Sequence, residues 1–221
     1  YNHTNKDAED FKIDISNSLE IQDWKPFVPA KEEVLIGGCV FLQNWIIRSE
    51  TSNALDKLFV KNISTGSEEE LIFSDEEVFV PNISLRQKNK DTDEVYLGYS
   101  SPKTPSRVYL YNLSTKSKKL LKEQEIPSGH NPKDYVVERI EFKSHDGRLV
   151  PLTITRHKKT KLDGSANLLL YGYGSYGNSM SPSFSSTKFS LLDRDIIWAT
   201  AHIRGGMEKG MKWWKEGKLT N

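Results

Sequence analysis

Leu58-Phe59-Val60-Lys61-Asn62-Ile63-Ser64-Thr65 is echoed, at an offset of 50 residues, by Val108-Tyr109-Leu110-Tyr111-Asn112-Leu113-Ser114-Thr115, and this internal repeat restricts the fold more than any other feature. The register holds outside the core match: Ser67 falls opposite Ser117, Leu71 opposite Leu121, and Ile46-Ile47 opposite Tyr96-Leu97. Each unit reads as a strand, a connection, a second strand, a polar turn at Ser-Thr and a third strand. Short strands repeating every ~40 to 50 residues are the pattern of β-propeller blades. One blade cannot cover its own sheet faces, so each unit must stack on neighbours. Phe11 to Ile15, with Trp24 and Phe27, would be the tail of a preceding blade, making residues 1–130 an incomplete, all-β run of late blades.

The pattern changes near Pro127-Ser128-Gly129, and a domain boundary is expected between Glu125 and Tyr135. Val136 to Phe142 and Leu149 to Arg156 alternate as an antiparallel pair joined through Asp146-Gly147. Asn167 to Tyr171 and Ile196 to Thr200 are continuous apolar runs, expected as strands covered on both faces. Helices are expected at Phe184 to Leu192 and Glu208 to Lys215, so residues 131–221 read as an α/β layer with buried parallel strands.

With 31 Lys plus Arg against 30 Asp plus Glu, no charge excess draws the chain toward nucleic acid or an anionic membrane, and neither partner is expected. No apolar run is long enough for a helix to cross a bilayer. The single cysteine, Cys39, excludes an internal disulfide and suits a reducing cytoplasm. Four Asn-x-Ser/Thr triplets start at Asn2, Asn62, Asn82 and Asn112 and are read as compositional accidents rather than glycan sites. The histidines show no metal-ligand spacing, so no metal and no cofactor is expected.

The stretch Tyr171-Gly172-Tyr173-Gly174-Ser175-Tyr176-Gly177 lies at the carboxyl end of an expected buried strand, where open α/β sheets collect ligands. Its glycines allow a tight turn and its tyrosines bring hydroxyl donors to it. A phosphate-cradling loop is a weaker reading, because Gly177 does not read as the opening of a helix, as such a loop requires. His202-Ile203-Arg204-Gly205-Gly206 follows the second apolar strand; a lone His202 reads as structural and Arg204 as a charge that holds the loop. No G-x-S-x-G elbow occurs, since Tyr173 stands where Ser175 would need a glycine, so Ser175 with His202 makes no hydrolytic centre.

Leu170 to Gly177, Ser190-Leu191-Leu192-Asp193-Arg194, His202 to Gly206 and the weaker Gly98-Tyr99-Ser100-Ser101 together resemble the prolyl oligopeptidase family, and within it the oligopeptidase B branch. The resemblance runs along the whole chain and implies propeller blades followed by the beginning of an α/β-hydrolase domain. It also implies a serine peptidase acting on short peptides, after Lys or Arg in that branch, with the propeller filtering substrates by size. By the same match Tyr173 is the oxyanion-hole tyrosine and Tyr176 lines the substrate pocket. Ser181 and Ser183 stand where the branch carries two aspartates that favour a second basic residue, and Met207 replaces a third glycine. The triad serine, aspartate and histidine have no counterpart here, so the chain is expected to be an internal piece, inactive alone and completed by the rest of the propeller and catalytic domain. The alternative expectation is a non-catalytic propeller module, or the relic of a split gene.

Overall fold

The chain's structure is a computed structural model that describes residues 1–85 and 90–219. β1 (Asn2–Thr4), β2 (Lys12–Ile15) and β3 (Lys25–Val28) form an antiparallel sheet in the order β1-β2-β3. Two four-stranded antiparallel meanders follow. The first holds β4 (Val34–Phe41), β5 (Trp45–Ser52), β6 (Leu55–Asn62) and β7 (Glu68–Glu70); the second holds β8 (Val80–Ser84), β9 (Glu94–Ser100), β10 (Arg107–Asn112) and β11 (Lys118–Glu123). These are blade-type sheets, and the repeat predicts three strands of each. The strands it leaves out are β4 and β8, whose Val34-Leu-Ile-Gly-Gly-Cys-Val-Phe and Val80-Pro-Asn-Ile-Ser share no residue pattern.

The repeated Asn-x-Ser-Thr has a structural cause. Asn62 Oδ1 accepts from the backbone N–H groups of Ser64 and Thr65, both at 3.0 Å, while Asn62 N donates to Ser67 O at 2.9 Å. In the second blade Asn112 Oδ1 accepts from Thr115 N at 2.9 Å, and Asn112 N donates to Ser117 O at 2.9 Å. Asparagine is chosen because its short amide mimics a backbone acceptor and closes the turn. Asn112→Ala is expected to cost about 1 kcal/mol, read as a lower urea midpoint at unchanged m.

The two blades share one core. Ile47, Leu58 and Val60 of the first pack with Val95, Leu97 and Tyr111 of the second, and Phe73 fills the space from the connection between them. A polar link crosses the same seam, with Trp45 Nε1 donating to Asp93 Oδ1 at 2.7 Å. Asp93→Ala strands that indole donor, so a loss of about 1 to 2 kcal/mol is expected. A double-mutant cycle with Trp45→Phe should recover most of it as coupling; additive losses would mean that the link contributes nothing.

The last sheet is mixed. β12 (Tyr135–Lys143), β13 (Leu149–His157), β14 (Leu168–Tyr171) and β15 (Ile197–Ala201) lie in the order β12-β13-β15-β14, with β14 and β15 parallel and the other pairs antiparallel. α1 (Ser186–Leu192) makes the crossover between the parallel strands, and α2 (Gly210–Lys215) follows β15. Phe189 and Leu192 of α1 bury against Tyr135, with Phe184 and Trp198 packed at the side.

Two expectations need correction here. β14 is not covered on both faces: Leu168 and Leu170 are 54% and 61% exposed. Its apolar run records a need for cover, but the strand order leaves it at the sheet edge and α1 packs toward β13 and β15 instead. The second helix begins at Gly210 rather than Glu208, because Glu208 turns inward ahead of it and is 1% exposed.

Candidate functional site

The two glycine-containing loops, separated by about thirty residues, are parts of one object. β14 and β15 run parallel, so the loops leaving their carboxyl ends emerge side by side. Gly177 N donates to Gly205 O at 2.8 Å. A Cβ on Gly205, whose φ is +96°, would sit 2.0 Å from Gly174 O, and one on Gly174 would sit 2.6 Å from Arg204 O. Backbone meets backbone there, which is why glycine is needed at both positions. Met207 fills the remaining gap, its side chain passing 3.4 Å from where a Cβ on Gly177 would be.

The interlock turns Tyr173 outward, 44% exposed, while Tyr176 is 84% exposed and holds a left-handed backbone at φ 55°. Both side chains therefore reach solvent. Ser181 and Ser183 lie further along, on the segment that leads into α1, where Ser183 N donates to Ser181 O at 2.9 Å. That segment is anchored at both ends. Met180 N donates to Glu208 Oε1 at 2.8 Å, and Phe184 N donates to Ser100 Oγ of the second blade at 3.0 Å. Ser100 thus links the weak Gly98-Tyr99-Ser100-Ser101 motif to the loop region, a connection invisible in the sequence.

Arg204 holds a loop. Its guanidinium reaches Asp146 Oδ2, at 2.5 Å, in the β12–β13 turn, and it lies 5.9 Å from the Trp213 ring centroid. His202 is fully buried; its Nε2 meets Thr153 Oγ1 at 2.8 Å, and its main-chain oxygen accepts from Trp213 Nε1 at 3.2 Å. Burial, reinforced by the nearby Arg139 charge, pushes the imidazole down from 6.5 to about 4. It is a neutral core group, engaged with Thr153 rather than with Ser175.

That depression has a sign. The unfolded chain takes up a proton near pH 6.5 while the folded one does not until about pH 4, so stability present above pH 6.5 is lost as pH falls toward 4. The loss attributable to this group is of the order of 3 kcal/mol. Urea unfolding at pH 7 and pH 4.5 should show it, and His202→Gln should flatten that part of the slope; an unchanged slope would remove His202 as its source.

Sequence reasoning missed two groups that shape this region. Glu208 is buried with Oε2 unpartnered among the described residues, and Arg139 donates both to Thr153 Oγ1, at 3.3 Å, and to Asn53 O at the tip of the β5–β6 hairpin. An acid directly after Gly205-Gly206-Met207 was the available signal for the first; none marked the second. Among the described residues no cluster of three His, Cys, Asp or Glu is placed to hold a metal, and no helix is long and apolar enough to cross a membrane.

Residues 1–124 match the family model described as prolyl oligopeptidase, N-terminal beta-propeller domain. Dipeptidyl aminopeptidase BI of Pseudoxanthomonas mexicana is 37% identical over 99% of this chain and 30% of its own length. Protease 2 of Moraxella lacunata is 27% identical over 99% of the chain and 31% of its own length. Among solved structures, oligopeptidase B from Trypanosoma brucei, with covalently bound antipain in a closed form, aligns at a TM-score of 0.87 and 29% identity over 98% of this chain and 32% of its own. Oligopeptidase B from Leishmania major aligns at 0.84 and 27% over 97% of this chain and 31% of its own. The chain thus spans about a third of the length of the proteins it matches.

Proposed function

The chain belongs to the prolyl oligopeptidase family, and from that premise we propose that it is a segment of a serine oligopeptidase that hydrolyses short peptides after Lys or Arg. Residues 1–130 supply late propeller blades that restrict access by size, and residues 131–221 open the α/β-hydrolase domain. The observation that carries the reading is the interlocked pair of loops that leaves Tyr173 partly exposed just past the ends of two parallel strands. A donor fixed there by backbone contacts suits a negative oxygen that develops on a scissile carbonyl.

Tyr176 and the Ser181 to Ser183 segment line the substrate side of that position. With serines at 181 and 183, a second basic residue in the substrate gains little, since a hydroxyl does not replace a carboxylate facing a cation. Ser181→Asp in the complete enzyme is expected to raise preference for dibasic over monobasic peptides several-fold in kcat/KM; an unchanged ratio takes those serines out of the pocket. The name of the Pseudoxanthomonas relative, a dipeptidyl aminopeptidase, suggests another cleavage register by the same chemistry. Mass analysis of products from a blocked and an unblocked Arg peptide separates the two registers.

The 221 residues contain no G-x-S-x-G elbow, so the isolated chain is inactive and the catalytic serine, aspartate and histidine come from the remainder of the enzyme. The exposed apolar edge of β14 and the exposed Leu120 and Leu121 on edge strand β11 are where the remaining hydrolase layer and the next blade join. The same edges favour a second reading, a non-catalytic module that associates through them. Peptide hydrolysis by the complete gene product decides: turnover of an Arg substrate supports the peptidase, and its absence with concentration-dependent association supports the module. Cytoplasmic residence fits the lone Cys39.

A further inference from the structure

Glu208 is 1% exposed, with one carboxylate oxygen bonded to a backbone amide and the other without a partner among the described residues. Burial pushes the carboxyl above its ordinary range. Such a group is costly, and an apolar side chain of the same volume would fit the site more cheaply. What an apolar side chain could not do is accept from Met180 N, whose N–H marks the start of the segment carrying Ser181 and Ser183.

The position of Glu208 is itself fixed from the propeller side. Its main-chain oxygen accepts from Ala54 N at 2.8 Å, and the neighbouring Asn53 O accepts from Arg139. Asn53 and Ala54 form the tip of the β5–β6 hairpin, both with left-handed backbone at φ 49° and 60°. On its other side the carboxylate lies against Gly206, where a Cβ would be 2.1 Å from Oε2. A blade hairpin, the Arg204 to Gly206 loop and the segment after the tyrosine loop therefore meet on one side chain.

We propose that Glu208 is a positioning residue: it fixes where the segment 180–183 lies, and the propeller hairpin at Asn53-Ala54 fixes Glu208, so that the blade sets the shape of the substrate pocket through it. The pocket role of that segment rests on the function proposed above; the positioning itself does not.

Hydrogen exchange on the full 221-residue chain tests it without any catalytic readout. In Glu208→Ala the Met180 amide and its neighbours to Phe184 are expected to exchange about tenfold faster or more, with β5 and β9 amides unchanged. Glu208→Gln, whose carboxamide oxygen accepts the same bond, is expected to keep the protection. An unaltered Met180 rate in Glu208→Ala, an equal acceleration throughout the chain, or a Glu208→Gln rate as fast as that of Glu208→Ala would each overturn the proposal. If Glu208→Ala does not fold, Glu208→Gln decides alone: parental protection at Met180 upholds the proposal and its loss overturns it. Should Ser181→Asp leave selectivity unchanged in the complete enzyme while exchange behaves as expected, the pocket assignment fails and the positioning role stands.

Discussion

Tyr173→Phe in the complete enzyme is expected to lower kcat by roughly a hundredfold or more while KM changes by only a few-fold. The change removes one oxygen atom and nothing else. The loops interlock through backbone atoms of Gly174, Gly177 and Gly205, so loss of a hydroxyl from the partly exposed Tyr173 leaves them in place. A neutral ground-state carbonyl accepts a hydrogen bond weakly, whereas the oxyanion of a tetrahedral intermediate accepts it strongly, so the lost interaction falls mainly on the transition state. Steady-state kinetics with a short Arg peptide gives the split. A comparable loss in both constants would mean that the hydroxyl binds substrate uniformly, and an unchanged kcat would end its assignment as an oxyanion donor. Thermal unfolding of the variant should match that of the parent, which separates this outcome from a folding defect.

The sequence made the blades legible because their turns are chemically specific. Asn62 and Asn112 must accept from N–H groups two or three residues ahead, and such short-range demands leave a fixed residue pattern at a fixed period. β4 and β8 escaped because their role is to pair with a neighbouring strand, a demand that many residue combinations meet. In the α/β layer the apolar runs identified β14 and β15 as strands, but not that β14 would lie at an edge with its side chains exposed. Hydrophobicity records the need for cover, and only the strand order says where cover is. The glycine loops were each visible as turns. Their contact depends on the parallel pairing of β14 with β15, which short-range reasoning does not reach. Glu208 was hidden for a related reason: an isolated acid in a polar stretch reads as surface, and its burial follows only from the meeting of three distant segments.

Gly205→Ala is expected to destabilise the chain by about 3 kcal/mol or more, a fall in Tm of roughly 6 °C to 12 °C for a domain of this size. Two costs combine. A φ of +96° is unfavourable for any residue with a Cβ, and that Cβ would lie 2.0 Å from Gly174 O and 2.5 Å from Gly174 C. Neither atom belongs to a side chain that could rotate aside, so the loops must separate, and the Gly177 N to Gly205 O bond is lost with them. Gly66 supplies the control, because it also has a positive φ, at +74°, yet has nothing within 4 Å of its would-be Cβ. Gly66→Ala should cost only the backbone part, about 1 kcal/mol. The difference between the two variants measures the interlock. Trp213, 3% exposed and accepting from Gly205 N through its main-chain oxygen, reports locally on the same event through its fluorescence. If Gly205→Ala proves no worse than Gly66→Ala, the two loops do not touch as described, and the fixed placement of Tyr173 loses its physical basis.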